Sequence, residues 1–180
     1  MSLYRDEAVV LRTYKLGETD RIVVLLCRDA GKVRAVAKGA RKPGSRFGAR
    51  LEPGAHAQVQ LYAGRGDLDT VTQVELVEAA KATRGDLSRL SHVAALLEVA
   101  DQVAQDREPA ARLFAMLVGA LRVVEERDPP LLTAAFYLKV LALEGVAPEL
   151  DACVGCGEPA DDGDRVLLAL EAGRSSTGVS

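Results

Sequence analysis

Residues 38–53, KGARKPGSRFGARLEP, contain five basic side chains and are termed the basic loop. Guanidinium groups bind phosphate oxygens in pairs, and glycines allow the backbone to approach a phosphate closely. Such contacts release counterions and give affinity that does not depend on base sequence. The candidate phosphate ligands are Lys38, Arg41, Lys42, Arg46 and Arg50, and Phe47 among them is a candidate for stacking on a base.

Charge is distributed unevenly along the 180 residues, whose net charge is −3. Residues 1–54 carry a balance of +6, whereas residues 55–180 carry −9. No acidic residue interrupts the seven basic ones between Lys32 and Leu51. A basic amino-terminal part followed by an acidic remainder predicts two modules with different partners. For the basic loop taken alone, a solvated segment that serves only solubility is the favoured interpretation, and a phosphate-binding loop is the alternative.

A second candidate site is the pair Cys153 and Cys156 in the sequence CVGCG. Two thiolates separated by two residues form one half of a zinc knuckle, but tetrahedral zinc needs four ligands. No Cys or His follows Cys156, and Cys27 in the apolar run RIVVLLCR is expected to be a buried core thiol. The nearby carboxylates Asp161, Asp162 and Asp164 are poor substitutes in a structural site. The pattern therefore predicts half a zinc site and leaves zinc binding open.

Enzyme signatures are absent from the sequence. It contains no GxxxxGK[ST] phosphate loop, no GxSxG, no HExxH and no convincing Ser/His/Asp grouping. With two histidines, acid–base catalysis would need a carboxylate pair that the pattern does not identify. The chain is therefore expected to be a binding protein without catalytic residues.

The elements that would position these side chains begin with a run of short strands. Strand-like stretches cover 3–16, 21–29, 32–39, 57–61 and 68–77, separated by turn signals such as GETD and DAGK. Five strands in about eighty residues predict a small antiparallel barrel, and the five-stranded OB barrel fits this count. An SH3-like barrel would fit nearly as well from the strand count alone.

The third stretch alternates between two faces. Val33, Ala35 and Ala37 should face the core, while the other face carries charge to the solvent. The outward residues are Lys32, Arg34, Val36 and Lys38. This basic strand face beside the loop favours a nucleic-acid surface over a merely solvated one.

From Asp86 onward the apolar period becomes helical. One helix should be capped by Asp86 or Ser88, a second should start at Pro109, and a third should cover 131–144. The core of these helices should take up most of the leucines Leu96, Leu97, Leu117, Leu121, Leu138 and Leu141. The Gly/Ser/Thr-rich tail is expected to be disordered. The expected fold is thus α+β. No apolar run is long enough for a membrane span, so the expected location is the cytoplasm. The predicted domains are 1–80 (OB-fold, DNA-binding), 81–150 (α-helical) and 151–180 (partial zinc knuckle and tail).

These residues resemble the RecO family of recombination and repair mediators. The resemblance lies in DEAVVLRTYKLGETDRIVVLL, GKVRAVAKGARKPGSRFGARLEPG, AAFYLKVLALEGVAPELDAC and CVGCG, and it covers nearly all of residues 4–157. The basic loop is its most specific part, whereas the helical stripe and the CxxC motif are not specific.

The resemblance implies an OB barrel, a helical domain and a zinc-binding insertion, with Cys153 and Cys156 as the first zinc pair. It also implies binding to single- and double-stranded DNA, strand annealing, and loading of recombinase onto DNA covered by single-strand-binding protein. The implied partners are the acidic tail of that protein and the mediator RecR. By position, the implied DNA contacts are Arg34, Lys38, Arg41, Lys42, Arg46 and Arg50.

Family members usually continue past this point with a second CxxC and further helices. Here DRVLLALEAGRSSTGVS stands in that place, which predicts a chain shortened at its carboxyl end, with zinc occupancy left open. Two other functions stay open from the residues themselves. One is an OB-type RNA-binding module, because a basic loop does not distinguish ribose from deoxyribose. The other is a protein-interaction remnant with weakened DNA binding.

Overall fold

The computed structural model describes residues 2–64, 66–78, 82–153 and 155–159, together with the backbone of 166–169 and 174–177. The chain divides into two compact units, residues 1–133 and 134–180. The first unit contains a β-barrel and two α-helices, and most of a third helix belongs to the second. The expected α+β architecture, a barrel followed by three helices, is confirmed.

Five strands form the barrel: β1 (Leu3–Leu16), β2 (Asp20–Cys27), β3 (Gly31–Ala37), β4 (His56–Tyr62) and β5 (Leu68–Glu78). Their order is β1-β2-β3-β5-β4, and β1 pairs with β4 to close the barrel. All neighbours are antiparallel except β3 and β5, which pair in parallel over 34–36 and 68–70. This is the arrangement of an OB barrel rather than a meander, so the five-stranded barrel is confirmed. The expectation that the barrel is antiparallel throughout is wrong at β3 and β5, because closing the barrel in this order brings these two strands together in parallel.

The alternation of side chains in β3 follows the expected pattern. Val33, Ala35 and Ala37 are buried, whereas Arg34 is exposed. Cys27 is fully buried in the same core, as expected, and burial raises the pKa of its thiol. The apolar interior therefore fixes which side of β3 carries charge to the solvent.

Two helices follow the barrel, α1 (Leu87–Val103) and α2 (Ala111–Glu126). The Asp86 carboxylate caps α1 by accepting hydrogen bonds from the backbone N–H groups of Ser88 and Arg89, at 2.8 and 3.2 Å. α2 begins two residues after Pro109, which lies in the connection between the helices. Both helices pack against each other and against β1, which places them beside the barrel in one unit.

Ion pairs hold α1 against the barrel. Arg12 on β1 pairs with Glu98, at 3.4 Å, and with Asp101. The Lys32 ammonium on β3 donates to the backbone carbonyl of Asp101 at 2.9 Å and lies 3.7 Å from the Asp106 carboxylate. Lys32, which was expected on the outward face, is therefore occupied by acidic partners from the helical region.

The connection between α1 and α2 runs along the start of β3. The backbone N–H of Lys32 donates to the carbonyl of Gln105, and that of Arg107 donates to the carbonyl of Lys32, at 3.3 and 3.0 Å. The approach is close at Gly31, where a Cβ atom would lie 1.8 Å from the carbonyl oxygen of Glu108. Gly31 also has a φ of +70°, so a side chain is disfavoured there for two independent reasons.

A buried carboxylate fastens the same connection to β5. Asp69 is 1% exposed, and it accepts hydrogen bonds from the Tyr4 hydroxyl at 2.6 Å and from the Arg107 guanidinium at 3.0 Å. The backbone N–H of Gly64 also donates to it, at 3.2 Å. Asp69 thus joins β1, the β4–β5 turn and the interhelical connection.

The third helix, α3 (Leu132–Leu143), buries Phe136 and Val140, one turn apart. Leu138 and Leu141 were expected in the core, but each is 40% exposed. α3 is apolar on all sides, so the pattern could not show which side would be buried. In the tail, β6 (Val166–Ala169) and β7 (Arg174–Thr177) pair antiparallel. No helix of the described residues is long and apolar enough to cross a membrane.

Candidate nucleic-acid interface

Six basic side chains of the barrel and its loop project into solvent. In the described part of the chain, none of the six takes part in an ion pair. They are the six expected phosphate ligands: Arg34, Lys38, Arg41, Lys42, Arg46 and Arg50. Four other cations of the same barrel are paired with carboxylates, namely Arg12, Arg21, Arg28 and Lys32. Arg5 and Lys15 on β1 also make no ion pair with the described residues, so six of the eight unpaired cations of the barrel and its loop lie along β3 and the basic loop.

The loop is held at its start by the turn between β1 and β2. Asp20 accepts a hydrogen bond from the backbone N–H of Gly39 at 2.8 Å and from the Thr19 hydroxyl at 2.9 Å. The Arg41 N–H donates to the carbonyl of Thr19, at 2.9 Å, and the Arg41 guanidinium donates to the carbonyl of Gly17, at 3.2 Å. These bonds fix where the chain leaves β3.

The loop is held at its end by the barrel core. Phe47 and Leu51 are 2% and 1% exposed, and both belong to the core cluster of the barrel. A 3₁₀ turn, Gly48–Leu51, follows Phe47 directly and ends at Leu51. The Arg46 guanidinium covers the Phe47 ring, with its Cζ 4.9 Å from the ring centroid, and Arg50 donates to the carbonyl of Arg46.

This burial corrects the expectation for Phe47. Its ring was a candidate for stacking on a base, but it packs in the apolar interior and Arg46 closes the remaining face. Burial of the apolar ring in the barrel core stabilises the fold through the hydrophobic effect, and an exposed ring would lose this stabilisation. Phe47 acts as an anchor of the basic loop rather than as a contact surface.

An acidic side chain, Asp20, lies next to the start of the loop. Hydrogen bonds from the Gly39 N–H and the Thr19 hydroxyl lower the pKa of Asp20, and the positive charges of Lys38 and Lys42 lower it further. Asp20 is therefore ionised at neutral pH and supports the loop backbone. In the sequence, Thr19 and Asp20 stand out only as part of the GETD turn signal, and no local pattern shows that they hold the basic loop.

The two cysteines of the CxxC motif lie in a tight turn of the second unit. The Cys153 N–H donates to the carbonyl of Glu158, and the Gly157 N–H donates to that of Cys153, both at 2.8 Å. A backbone hydrogen bond at Glu158 lowers the pKa of Cys156, but the neighbouring Cys153 thiol and burial raise it, and the net direction is upward.

The residues present match zinc only in part. Within the described ranges, no three His, Cys, Asp or Glu side chains are grouped so as to hold a metal ion. The carboxylates Asp161, Asp162 and Asp164, considered as further ligands, lie outside the described residues. Cys153 and Cys156 remain half of a predicted site.

Comparison with known proteins bears on both parts of the chain. Residues 1–80 match the family model described as "Recombination protein O N terminal", and residues 84–168 match "Recombination protein O C terminal". These matches adjoin between the barrel and α1.

Three relatives named "DNA repair protein RecO" are similar over most of the chain. The proteins from Frankia casuarinae and Thermobifida fusca are 49% and 50% identical over 163 residues, which is 88% of this chain. The one from a Nocardioides species is 49% identical over 165 residues, or 89% of this chain. Each match spans 67% of the relative's own length. They agree with the expectation of a mediator rather than an enzyme, and the chain belongs to the RecO family of DNA repair and recombination proteins.

Proposed function

We propose that the protein binds DNA through the phosphate backbone, with the six unpaired cations of β3 and the basic loop as ligands. The observation that carries this proposal is the difference between these six side chains and the ion-paired cations beside them. A cation that has no carboxylate partner gives up no ion pair when it binds phosphate, so more of the attraction is retained.

The geometry of the loop supports this use of its charges. Because the chain is fixed at Gly39 and at Phe47, Arg41 and Lys42 project from a short span with both ends held. Holding the backbone in advance reduces the conformational entropy lost on binding. Arg34 lies four residues before Lys38, about 13 Å along an extended chain, so the cations can follow several phosphates.

Annealing follows from the same chemistry. Two complementary strands repel each other through their phosphates, and a surface that neutralises one strand lowers this repulsion without ATP. In this proposal the protein promotes pairing of single strands, binds single- and double-stranded DNA, and takes part in placing recombinase on DNA covered by single-strand-binding protein. Membership of the RecO family supports this role.

Fluorescence anisotropy of a labelled single-stranded oligonucleotide over a salt series tests DNA binding. The triple variant Arg41→Ala/Lys42→Ala/Arg46→Ala should lower the slope of log affinity against log salt by about 0.7 for each phosphate that the variant no longer binds. A matched control with the same charge change is Arg112→Ala/Arg127→Ala/Lys139→Ala, all exposed outside the barrel. This control should keep the parent slope. Equal reductions in the two variants would show that net charge, and not this site, governs binding.

A competition between DNA and RNA of matched sequence separates the proposed function from an RNA-binding module. Preference for RNA by tenfold or more would favour the RNA-binding module. A third arm follows the rate of annealing of complementary oligonucleotides with parent and triple variant. Acceleration by the parent that is abolished in the triple variant supports annealing at the basic loop.

The proposed partner proteins are RecR and single-strand-binding protein, which would bind through its acidic tail. The first unit contains one candidate surface for this tail. A groove of about 380 Å³ lies between the barrel and the helices, with Leu76, Leu90 and Leu121 in its lining. Its two glutamates, Glu52 and Glu78, are paired with arginines at 2.9 and 3.5 Å.

The groove also contains Arg84, which is exposed and makes no ion pair with the residues the structure describes. An apolar groove with one unpaired cation fits an acidic peptide that ends in apolar residues. Binding of a labelled acidic tail peptide should be weakened by Arg84→Glu. The control Arg112→Glu, on α2, should leave it unchanged. Equal binding by parent and Arg84→Glu would exclude this groove.

A further inference from the structure

An apolar row crosses the outer surface of β1, β2 and β3. Tyr14 pairs with Ile22 between β1 and β2, and Ile22 pairs with Val36 between β2 and β3. Residues directly opposite each other on adjacent strands project from the same face of a sheet. Tyr14 is 47% exposed, and Ile22 and Val36 are half-buried. These three side chains, termed the outer row, therefore form one continuous apolar strip on the surface.

The outer row lies among the unpaired cations. Arg34 and Lys38 are each two residues from Val36, about 7 Å along the chain to either side. The β1–β2 turn beside the row also carries the carbonyls of Gly17 and Thr19, to which Arg41 is bonded. A strand whose phosphates contacted these cations would pass its bases over the row.

The aromatic ring at one end of the row lies beside an ion-paired cation. Arg12 is two residues from Tyr14 on β1, and it pairs with Glu98 and Asp101 of α1. Since Phe47 is buried, Tyr14 is the aromatic side chain that the structure presents beside the basic loop.

We propose that the outer row, with Tyr14 as its aromatic member, is a stacking platform for unpaired bases of single-stranded DNA. The inference rests on the proposed function, because the cations must hold the phosphates for the bases to reach the row. Every base has a π-face, so stacking of this kind tolerates any sequence. Bases inside a duplex are stacked on each other, so the row gives the protein a preference for single strands that phosphate contacts alone do not give.

The test compares Tyr14→Ala and Tyr14→Phe with the parent on single-stranded and double-stranded oligonucleotides. Tyr14→Ala should raise the single-strand Kd about five- to tenfold, the lower end of the effect of removing one stacked base. Its duplex Kd should stay within about twofold, and its salt slope should not change because every phosphate ligand is still present. Tyr14→Phe keeps the ring and should bind like the parent. Tyr137→Ala, a tyrosine of similar exposure on α3, is the matched control and should also bind like the parent.

The possible results separate this inference from the proposed function. If the parent binds, the triple loop variant does not and Tyr14→Ala binds like the parent, the stacking platform is wrong and phosphate binding stands. If Tyr14→Phe is as weak as Tyr14→Ala, the phenol hydroxyl matters rather than the ring, and the inference fails. If the parent does not bind DNA, both fail. As a second readout, an oligonucleotide containing 5-iodouracil should cross-link under light to the peptide that contains Tyr14, and cross-linking only elsewhere would contradict the proposal.

Discussion

The guanidinium of Arg46 lies over the ring of Phe47, with 4.9 Å between its Cζ atom and the ring centroid, and the other side of the ring is buried in the barrel. One of these neighbouring residues thus carries charge to the solvent while the other fastens the chain to the core. The basic loop depends on this division, because a cation at the end of a free segment would have no fixed position.

Replacing Phe47 tests the anchor. Phe47→Ala should lower the free energy of unfolding by about 3–5 kcal/mol, because it leaves a cavity in the barrel core. Phe47→Leu should cost about 1.5 kcal/mol or less, because it restores most of the volume. Urea denaturation measures both. If Phe47→Leu keeps parent-like DNA affinity under conditions in which it is folded, the ring does not stack on a base, whereas a reduction confined to affinity would contradict the anchor role.

Asp20 should control the order of the loop backbone. Asp20→Ala removes the acceptor for the Gly39 N–H, so hydrogen exchange at that amide should become faster. Asp20→Asn keeps an acceptor oxygen in the same place and should retain most of the protection, which separates the hydrogen bond from the charge. Hydrogen–deuterium exchange followed by NMR gives the comparison. Unchanged exchange in Asp20→Ala would show that the turn is held by other contacts.

The Asp69 cluster should give the fold a characteristic acid sensitivity. Burial raises the pKa of Asp69, but the hydrogen bonds from Arg107, Tyr4 and the Gly64 N–H outweigh it, so its pKa lies below the usual value. A carboxyl whose pKa is lowered by folding stabilises the native state above its unfolded pKa, about 3.9, and loses this effect as the pH falls through the folded value. Asp69→Asn should therefore cost about 1.5–3 kcal/mol at pH 7.

The difference between Asp69→Asn and the parent should shrink progressively below about pH 4. Urea denaturation at a series of pH values measures it. Arg107→Ala, which leaves Tyr4 and Gly64 bonded to the carboxylate, should cost less than Asp69→Asn. A difference that stays constant from pH 7 to pH 3 would show that the ionised form of Asp69 is not what stabilises the cluster.

Gly31 and Gly44 form a matched pair for testing the close approach of β3 to the interhelical connection. Both have positive φ, +70° and +72°, but only Gly31 has backbone atoms of Glu108 in the space that a Cβ would occupy. Gly44→Ala should therefore cost only the left-handed strain, about 1–2 kcal/mol. Gly31→Ala should cost about 2–5 kcal/mol, because the connection must also move. Thermal unfolding of the two variants checks this, and equal destabilisation would mean that the close approach at Glu108 is not maintained.

Much of the barrel could be predicted from the sequence because the period of its apolar residues reports burial directly. Val33, Ala35 and Ala37 alternate with Arg34, and the structure buries and exposes them accordingly. The same reasoning failed for Leu138 and Leu141, since α3 is apolar on every side and has no pattern to read. Periodicity predicts a buried face only where a polar face exists.

For the candidate site, the sequence located the cations but not what holds them. An aromatic residue inside a basic segment can be an anchor or a contact, and Phe47 became an anchor only because the chain folds back into the barrel. Lys32 and Arg34 are both basic residues of the same strand. Lys32 is paired with Asp101 and Asp106, about seventy positions away, whereas Arg34 makes no such pair. Such long-range pairing, like the register that aligns Tyr14 with Val36, depends on tertiary structure.

The basic loop is held at both ends, so its length bears directly on the proposed function. Between the bond that holds Gly39 and the buried ring of Phe47 there are seven residues, Ala40 to Arg46, and they bridge a gap whose width is set by the barrel. Exchanging lysine for arginine within this bridge alters the chemistry of one contact. Inserting or deleting a single residue would instead change the positions of all its charges. In the proposed function, these charges would then no longer match the spacing of the DNA phosphates. The spacing between anchors, more than the number of positive charges, is then what defines this loop.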